Sequence, residues 1–183
     1  MKTIHTPVWN VIRTIDRFTA AMMAVVALLL IPMILGNVVE VFMRYALDAP
    51  TVWAADVTVM TFGTFFMLGS AYTMLKGAHV RTDIFWDRYS DRTKGLIDSI
   101  SYLFLFLPVM ALLFFISIDD FAYAYSINER STLSLWRPIM WPFRAVIPLA
   151  ALLMFVQGIS ELLKSLWAAS TGEVLVRPEK IEI

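Results

Sequence analysis

A chain of 183 residues with 59% hydrophobic and 16% charged side chains falls outside the range of soluble domains, which hold about 45–50% apolar and about 25% charged residues. Its formal net charge of zero gives no global electrostatic footprint for nucleic acid, and the lack of cysteine removes disulfides, thiolate metal sites and thiol catalysis. What remains is an integral membrane protein: one all-α membrane domain over residues 1–170, followed by a short polar tail at 171–183.

Residues 1–17 carry Val8, Val11, Ile12 and Ile15, continued by Phe18, at helical spacing, with Asn10, Arg13, Asp16 and Arg17 off that stripe. This pattern predicts an amphipathic helix lying in the membrane interface ahead of the first span. Phe18 to Val39 is uncharged, long enough for a tilted transmembrane helix, which needs about 20 residues. The run is too long for a secretory-signal core and no convincing small-residue cleavage site follows, so it is read as an uncleaved span. Ala20, Ala24 and Ala27 offer a small-residue face for helix packing, and Pro32 predicts a kink.

Val57 to Leu75 is the second uncharged run, with Gly63, Gly69 and Ser70 as close-packing positions. Ser99 to Ile118 is the third, carrying Pro108. The fourth, Ala145 to Ser160, is extended by Trp141-Pro142-Phe143 into the interface, where tryptophan is favoured. Arg144 and Lys164 flank it and are expected to reach for headgroups. Four spans follow, at about 18–43, 56–76, 98–120 and 141–163.

Charge sets the orientation. The N-terminal segment, the loop Lys76 to Asp98 and the tail together hold eleven Lys/Arg, against four in the two remaining loops. The positive-inside rule then puts both termini and the 76–98 loop in the cytoplasm. That loop is expected to form a structured turn carrying His79, Arg81 and Asp83.

Few constellations suggest chemistry. Glu40 and Arg44 are four residues apart near the outer end of the first span, the favourable order for a helical ion pair. A turn through Pro50 leads to Trp53 and Asp56, at a depth similar to Arg44 on the next helix. A structural clamp on this hairpin and a partner contact are both open readings. Asp119 and Asp120 close the third run and read as a solvated helix end or an outward docking surface, which Trp136 and Arg137 would extend. His79 has no second histidine in or near a span, which speaks against bis-histidine haem ligation. No uncharged run carries a central ionisable residue, as a self-sufficient secondary transporter would. No P-loop, dinucleotide fingerprint or nucleophile elbow occurs. No enzyme activity, metal or cofactor is expected.

Several segments jointly resemble the small membrane subunit (DctQ-type) of tripartite ATP-independent periplasmic (TRAP) transporters. Arg44-Tyr45, the turn with Pro50 and Trp53-Ala54-Ala55-Asp56 are similar to that family's outer hairpin, although Ala55 replaces the first of its two frequent adjacent acids. Gly69-Ser70-Ala71-Tyr72 running into Lys76 to Asp83 is similar to its glycine-histidine-x-arginine-x-aspartate stretch. Trp136-Arg137-Pro138, Trp141-Pro142, Ile147-Pro148 and Gln157 to Glu161 complete the match. The resemblance implies a bacterial inner-membrane subunit surrounded by membrane lipids and paired with a large multi-span subunit that moves substrate and sodium by an elevator motion. It also implies a periplasmic binding protein delivering an organic acid. From another class, a small homodimeric carrier would need an intramembrane charge, for which Glu40 is the near candidate. A membrane anchor for a redox enzyme is the third reading.

Overall fold

Three prolines decide where the spanning helices break. The computed structural model describes residues 7–77, 89–172 and 175. Its elements are α1 (Pro7–Ala27), α2 (Leu30–Ala46), α3 (Ala54–Leu75), α4 (Asp91–Ser101), a π-helical turn at Tyr102–Phe106, α5 (Leu107–Ser126), α6 (Trp141–Arg144) and α7 (Val146–Thr171). They form four helical stretches long and apolar enough to cross a membrane: Pro7–Ala46, Ala54–Leu75, Asp91–Ser126 and Trp141–Thr171. Among the described residues there is no strand, only an isolated bridge between Arg130 and Ile139. The protein is an all-α membrane protein with four spans.

A helical proline lacks an N–H, and its ring clashes with the carbonyl four residues earlier. For Pro32 that carbonyl belongs to Leu28. The amides of Leu28, Leu29 and Ile31 there turn back only three residues, to the carbonyls of Val25, Val26 and Leu28. For Pro108 the clash falls on Phe104, inside the π-helical turn where the Leu107 amide reaches back to Tyr102. For Pro148 it falls on Arg144, the last residue of α6. The kink expected at Pro32 therefore sits about one turn before it, as the clash dictates.

Several helices run past the ends of the expected spans. Residues 7–17 are continuous with the first span in α1, and Ile12 is buried within the protein. The buried residues of α1 are Ile12, Thr19 and Val26, spaced two turns apart, whereas Ala20 and Ala24 stay exposed. Helix α5 continues to Ser126, so Asp119 and Asp120 lie more than a turn inside the helix and do not close it.

The chain divides into two compact units. Unit 1 comprises Met1–Ala21, Ser70–Leu112 and Ala151–Ile183, and unit 2 comprises Met22–Gly69 and Leu113–Ala150. In unit 1, α4 lies backbone to backbone on α7. A Cβ at Gly95 would meet the Ala169 nitrogen at 2.6 Å and the Ser165 oxygen at 2.7 Å, so only glycine permits this approach. Arg92 Nε donates to the Ala169 carbonyl across the same seam at 3.1 Å. Ser90 caps α4, its hydroxyl accepting from the Thr93 amide. In unit 2, the ring of Phe143 on α6 fills the space beside Gly63 on α3, 2.8 Å from where a Cβ would stand. Because lipid gives no hydrophobic drive for helix association, such close backbone approaches and interhelical hydrogen bonds carry the packing.

Candidate functional site

The α2–α3 hairpin in unit 2 holds the ion pair expected from spacing. Arg44 donates from Nε to Glu40 Oε1 at 2.9 Å, and its Nη2 makes a second bond to the same oxygen. The other oxygen, Oε2, accepts from the Thr51 amide at 2.8 Å and from the Thr51 hydroxyl. Glu40 thus ties the end of α2 to the turn that follows it. Deeper in, Asn37 Nδ2 donates to the Thr58 hydroxyl at 2.9 Å, joining α2 to α3, and the Trp53 ring packs against Gly36. A groove of about 370 Å³ opens beside these residues, lined among others by Asn37, Glu40, Arg44, Thr58, Val59 and Leu133.

Asp56 does not face Arg44. It is buried in the first turn of α3, where the helix N-terminus favours a carboxylate, and it accepts from the hydroxyls of Ser131 and Ser134. Each serine hydroxyl in turn accepts from an amide two residues on, Leu133 at 3.1 Å and Trp136 at 3.2 Å. The loop between α5 and α6 is closed by Ser131 N–H to the Pro138 carbonyl and Met140 N–H to the Glu129 carbonyl, both 2.8 Å. One buried carboxylate therefore shapes the tip of this loop. Trp136 and Arg137 are exposed on it, with Arg137 in the left-handed region at φ 48°.

Arg144 is held by carboxylates of its own chain. Its Nη1 binds Asp120 at 2.7 Å and its Nη2 binds Glu129 at 2.8 Å, clamping α6 to α5 and to the loop. Asp119 is exposed beside this clamp. Residues His79, Arg81 and Asp83 lie outside the described residues.

Unit 1 contains a polar network that the residue pattern did not single out. Gln157 and Ser160 on α7 are fully buried. Thr19 on α1 donates to Gln157 Oε1 at 2.8 Å. Asp16 Oδ1 accepts from Ser160 at 2.8 Å and from Gln157 Nε2 at 3.1 Å. Lys164 Nζ bridges Asp16 at 2.8 Å and Glu161 at 2.7 Å, and its side chain is only 12% exposed. Lys164 is thus sequestered in protein and is not directed at headgroups. The signal lay in Gln157, Ser160, Glu161 and Lys164 at offsets of three, four and seven, a polar stripe on an otherwise apolar helix.

Comparison with protein-family models decides the identity: the model for "Tripartite ATP-independent periplasmic transporters, DctQ component" matches residues 33–167. The chain belongs to this family. No curated protein and no solved structure matches it. It is a small membrane subunit of a TRAP transporter, multi-pass in the inner membrane. The family is non-catalytic, and membership implies association with a large TRAP membrane subunit and a substrate-binding protein. The match spans the α2–α3 hairpin, the Asp56 loop and the Gln157–Lys164 stripe. Asp16 and Thr19, the other half of the unit 1 network, precede it.

Proposed function

We propose that this TRAP subunit transports nothing itself and serves as a scaffold for the large, elevator-type membrane subunit, helping the periplasmic binding protein dock for ion-coupled uptake of an organic acid. The observation that carries the reading is the pairing of charge. Glu40, Asp56, Arg144, Asp16 and Lys164 are each engaged by partners within the chain, and the runs Phe18–Val39, Val57–Leu75, Ser99–Ile118 and Ala145–Ser160 carry no charge. A translocation site needs polar groups free to exchange partners near mid-membrane. Outward of the spans lie a hairpin stiffened by Glu40 and a loop shaped by Asp56. With the 40–56 and 119–144 loops facing the periplasm, Arg44, Trp53, Asp119, Trp136 and Arg137 form the surface offered to the binding protein, and Asp56 and Asp120 hold it in shape. Sodium is the coupling ion the family resemblance implies.

Proteoliposomes test this directly. Uptake driven by binding protein and a sodium gradient is expected with both membrane subunits and with neither alone. Flux through the small subunit by itself would overturn the scaffold reading. Orientation is separable, since the chain has no cysteine. An impermeant maleimide applied from the periplasm should label Thr132→Cys and spare Ser170→Cys.

A further inference from the structure

The groove in unit 2 has one polar end and one apolar end, and the pattern of its free hydrogen-bonding capacity is specific. Glu40 is saturated: Oε1 takes two bonds from Arg44, and Oε2 takes two from Thr51. Arg44 uses Nε and Nη2 on that carboxylate, leaving Nη1 without a bond among the described residues, on a side chain 55% exposed. The Thr58 hydroxyl accepts from Asn37 and keeps its own proton to donate. The polar end therefore presents donors and a half-exposed guanidinium, with its acceptor already occupied. Such a set suits an anionic oxygen, and phosphate above all.

The other end leads along α3. Ala55 and Val59 line the groove, and Phe62 and Phe66 continue the same helical stripe, seven and eleven residues past Ala55. Their rings stack at 6.3 Å between centroids, and Val59, Phe62 and Phe66 are all exposed. On α2 the exposed side chain of Ile34 continues the stripe below Asn37. An apolar lane thus begins where the polar end stops. The depth fits as well: the uncharged run of α2 ends at Val39 and that of α3 begins at Val57, which puts Thr58 just inside the apolar layer and Arg44 just beyond it, on either side of the headgroup boundary.

We infer that this groove is a binding site for a phospholipid, its phosphate held by Arg44 Nη1 and the Thr58 hydroxyl and an acyl chain lying along Val59, Phe62 and Phe66. The site does not require the scaffold role proposed above. It requires only that the spans sit in a bilayer.

Native mass spectrometry of the detergent-purified full chain, titrated with palmitoyl-oleoyl phosphatidylglycerol, tests it. Wild type should retain one lipid at concentrations where Arg44→Gln retains at least tenfold less. Val59→Trp leaves the Glu40–Arg44 pair untouched and fills the lane, so it should lose the lipid while its helical circular dichroism stays that of wild type. Diacylglycerol, which lacks the phosphate, and glycerol 3-phosphate, which lacks the chains, should both bind at least tenfold more weakly. Equal retention by wild type and both variants would overturn the site, as would glycerol 3-phosphate binding as well as the lipid. A groove that takes no lipid, but whose Val59→Trp variant fails to co-purify the large subunit, would be a protein seat and would equally end the proposal.

Discussion

Two polar networks among the described residues of this subunit do different things. In unit 1, Asp16, Thr19, Gln157, Ser160, Glu161 and Lys164 join helix to helix, α1 to α7, across more than 130 positions of sequence. In unit 2, Asp56 and Arg144 join helix ends to a loop. The first network includes ions largely withdrawn from solvent and the amide and hydroxyls that complete their coordination. The second pairs a buried carboxylate, Asp56, with two serine hydroxyls and separately ties Arg144, a third exposed, to Asp120 and Glu129. Helices that cannot rely on hydrophobic drive in lipid take their register from hydrogen bonds and small residues. A loop outside the membrane needs its backbone groups satisfied and its shape fixed. The same residue types therefore set helix register in one unit and loop shape in the other.

If that distinction holds, Lys164→Met should be the most damaging single change. It leaves Asp16 and Glu161 facing each other without their shared cation, and breaking a buried ion pair from one side costs about 3–5 kcal/mol. Unfolding in mixed micelles should show the loss. Adding Glu161→Gln should recover a large part of it, because one of the stranded charges is then gone. A double variant no better than Lys164→Met would mean that Lys164 acts by packing alone.

Asp56→Ala comes next. It strands two serine hydroxyls whose orientation fixes the Leu133 and Trp136 amides, and a buried unsatisfied group costs about 1–3 kcal/mol. The damage should be local. Hydrogen exchange at residues 131–137 is expected to rise by one to two orders of magnitude, with α1 and α7 unchanged. Asp56→Asn, which keeps an acceptor oxygen, should show a smaller rise. Loosening that spreads to Gln157 would erase the distinction between the two units.

How far each arrangement could be read from sequence follows from the same physics. Glu40–Arg44 was legible because both partners lie on one helix at a fixed offset. The four spans were legible because uncharged runs have a length that matches a bilayer. The helix breaks were legible in cause, since proline's clash has a fixed offset, but only once that offset of four residues is applied. What could not be read was which helix meets which. Asp16 and Lys164 are 148 positions apart, and Asp56 and Ser134 are 78 apart. Periodicity tells which face of a helix is polar and says nothing of the face opposite. Arg144 and Lys164 looked free to reach for headgroups because Asp120, Glu129 and Asp16 sit on other elements. The groove beside Arg44 was likewise invisible, being formed by α2, α3 and Leu133 together.

Two glycines sharpen the comparison at the smallest scale. Gly95 in unit 1 faces backbone: an added methyl would stand 2.6 Å from the Ala169 nitrogen and 2.7 Å from the Ser165 oxygen. Neither atom can move without shifting α7 itself. Gly63 in unit 2 faces the Phe143 ring at 2.8 Å, a side chain on the four-residue helix α6, which can swing aside. Overpacking a tight seam costs about 1–3 kcal/mol. Gly95→Ala should fall near the top of that range, and Gly63→Ala at or below about 1 kcal/mol, offset in part by alanine's better helix propensity. Thermal unfolding of the two variants side by side, each in the same detergent, gives the ranking. A reversed order would mean that the α4–α7 seam yields more readily than a single aromatic ring, which the direct Arg92 bond to the Ala169 carbonyl argues against.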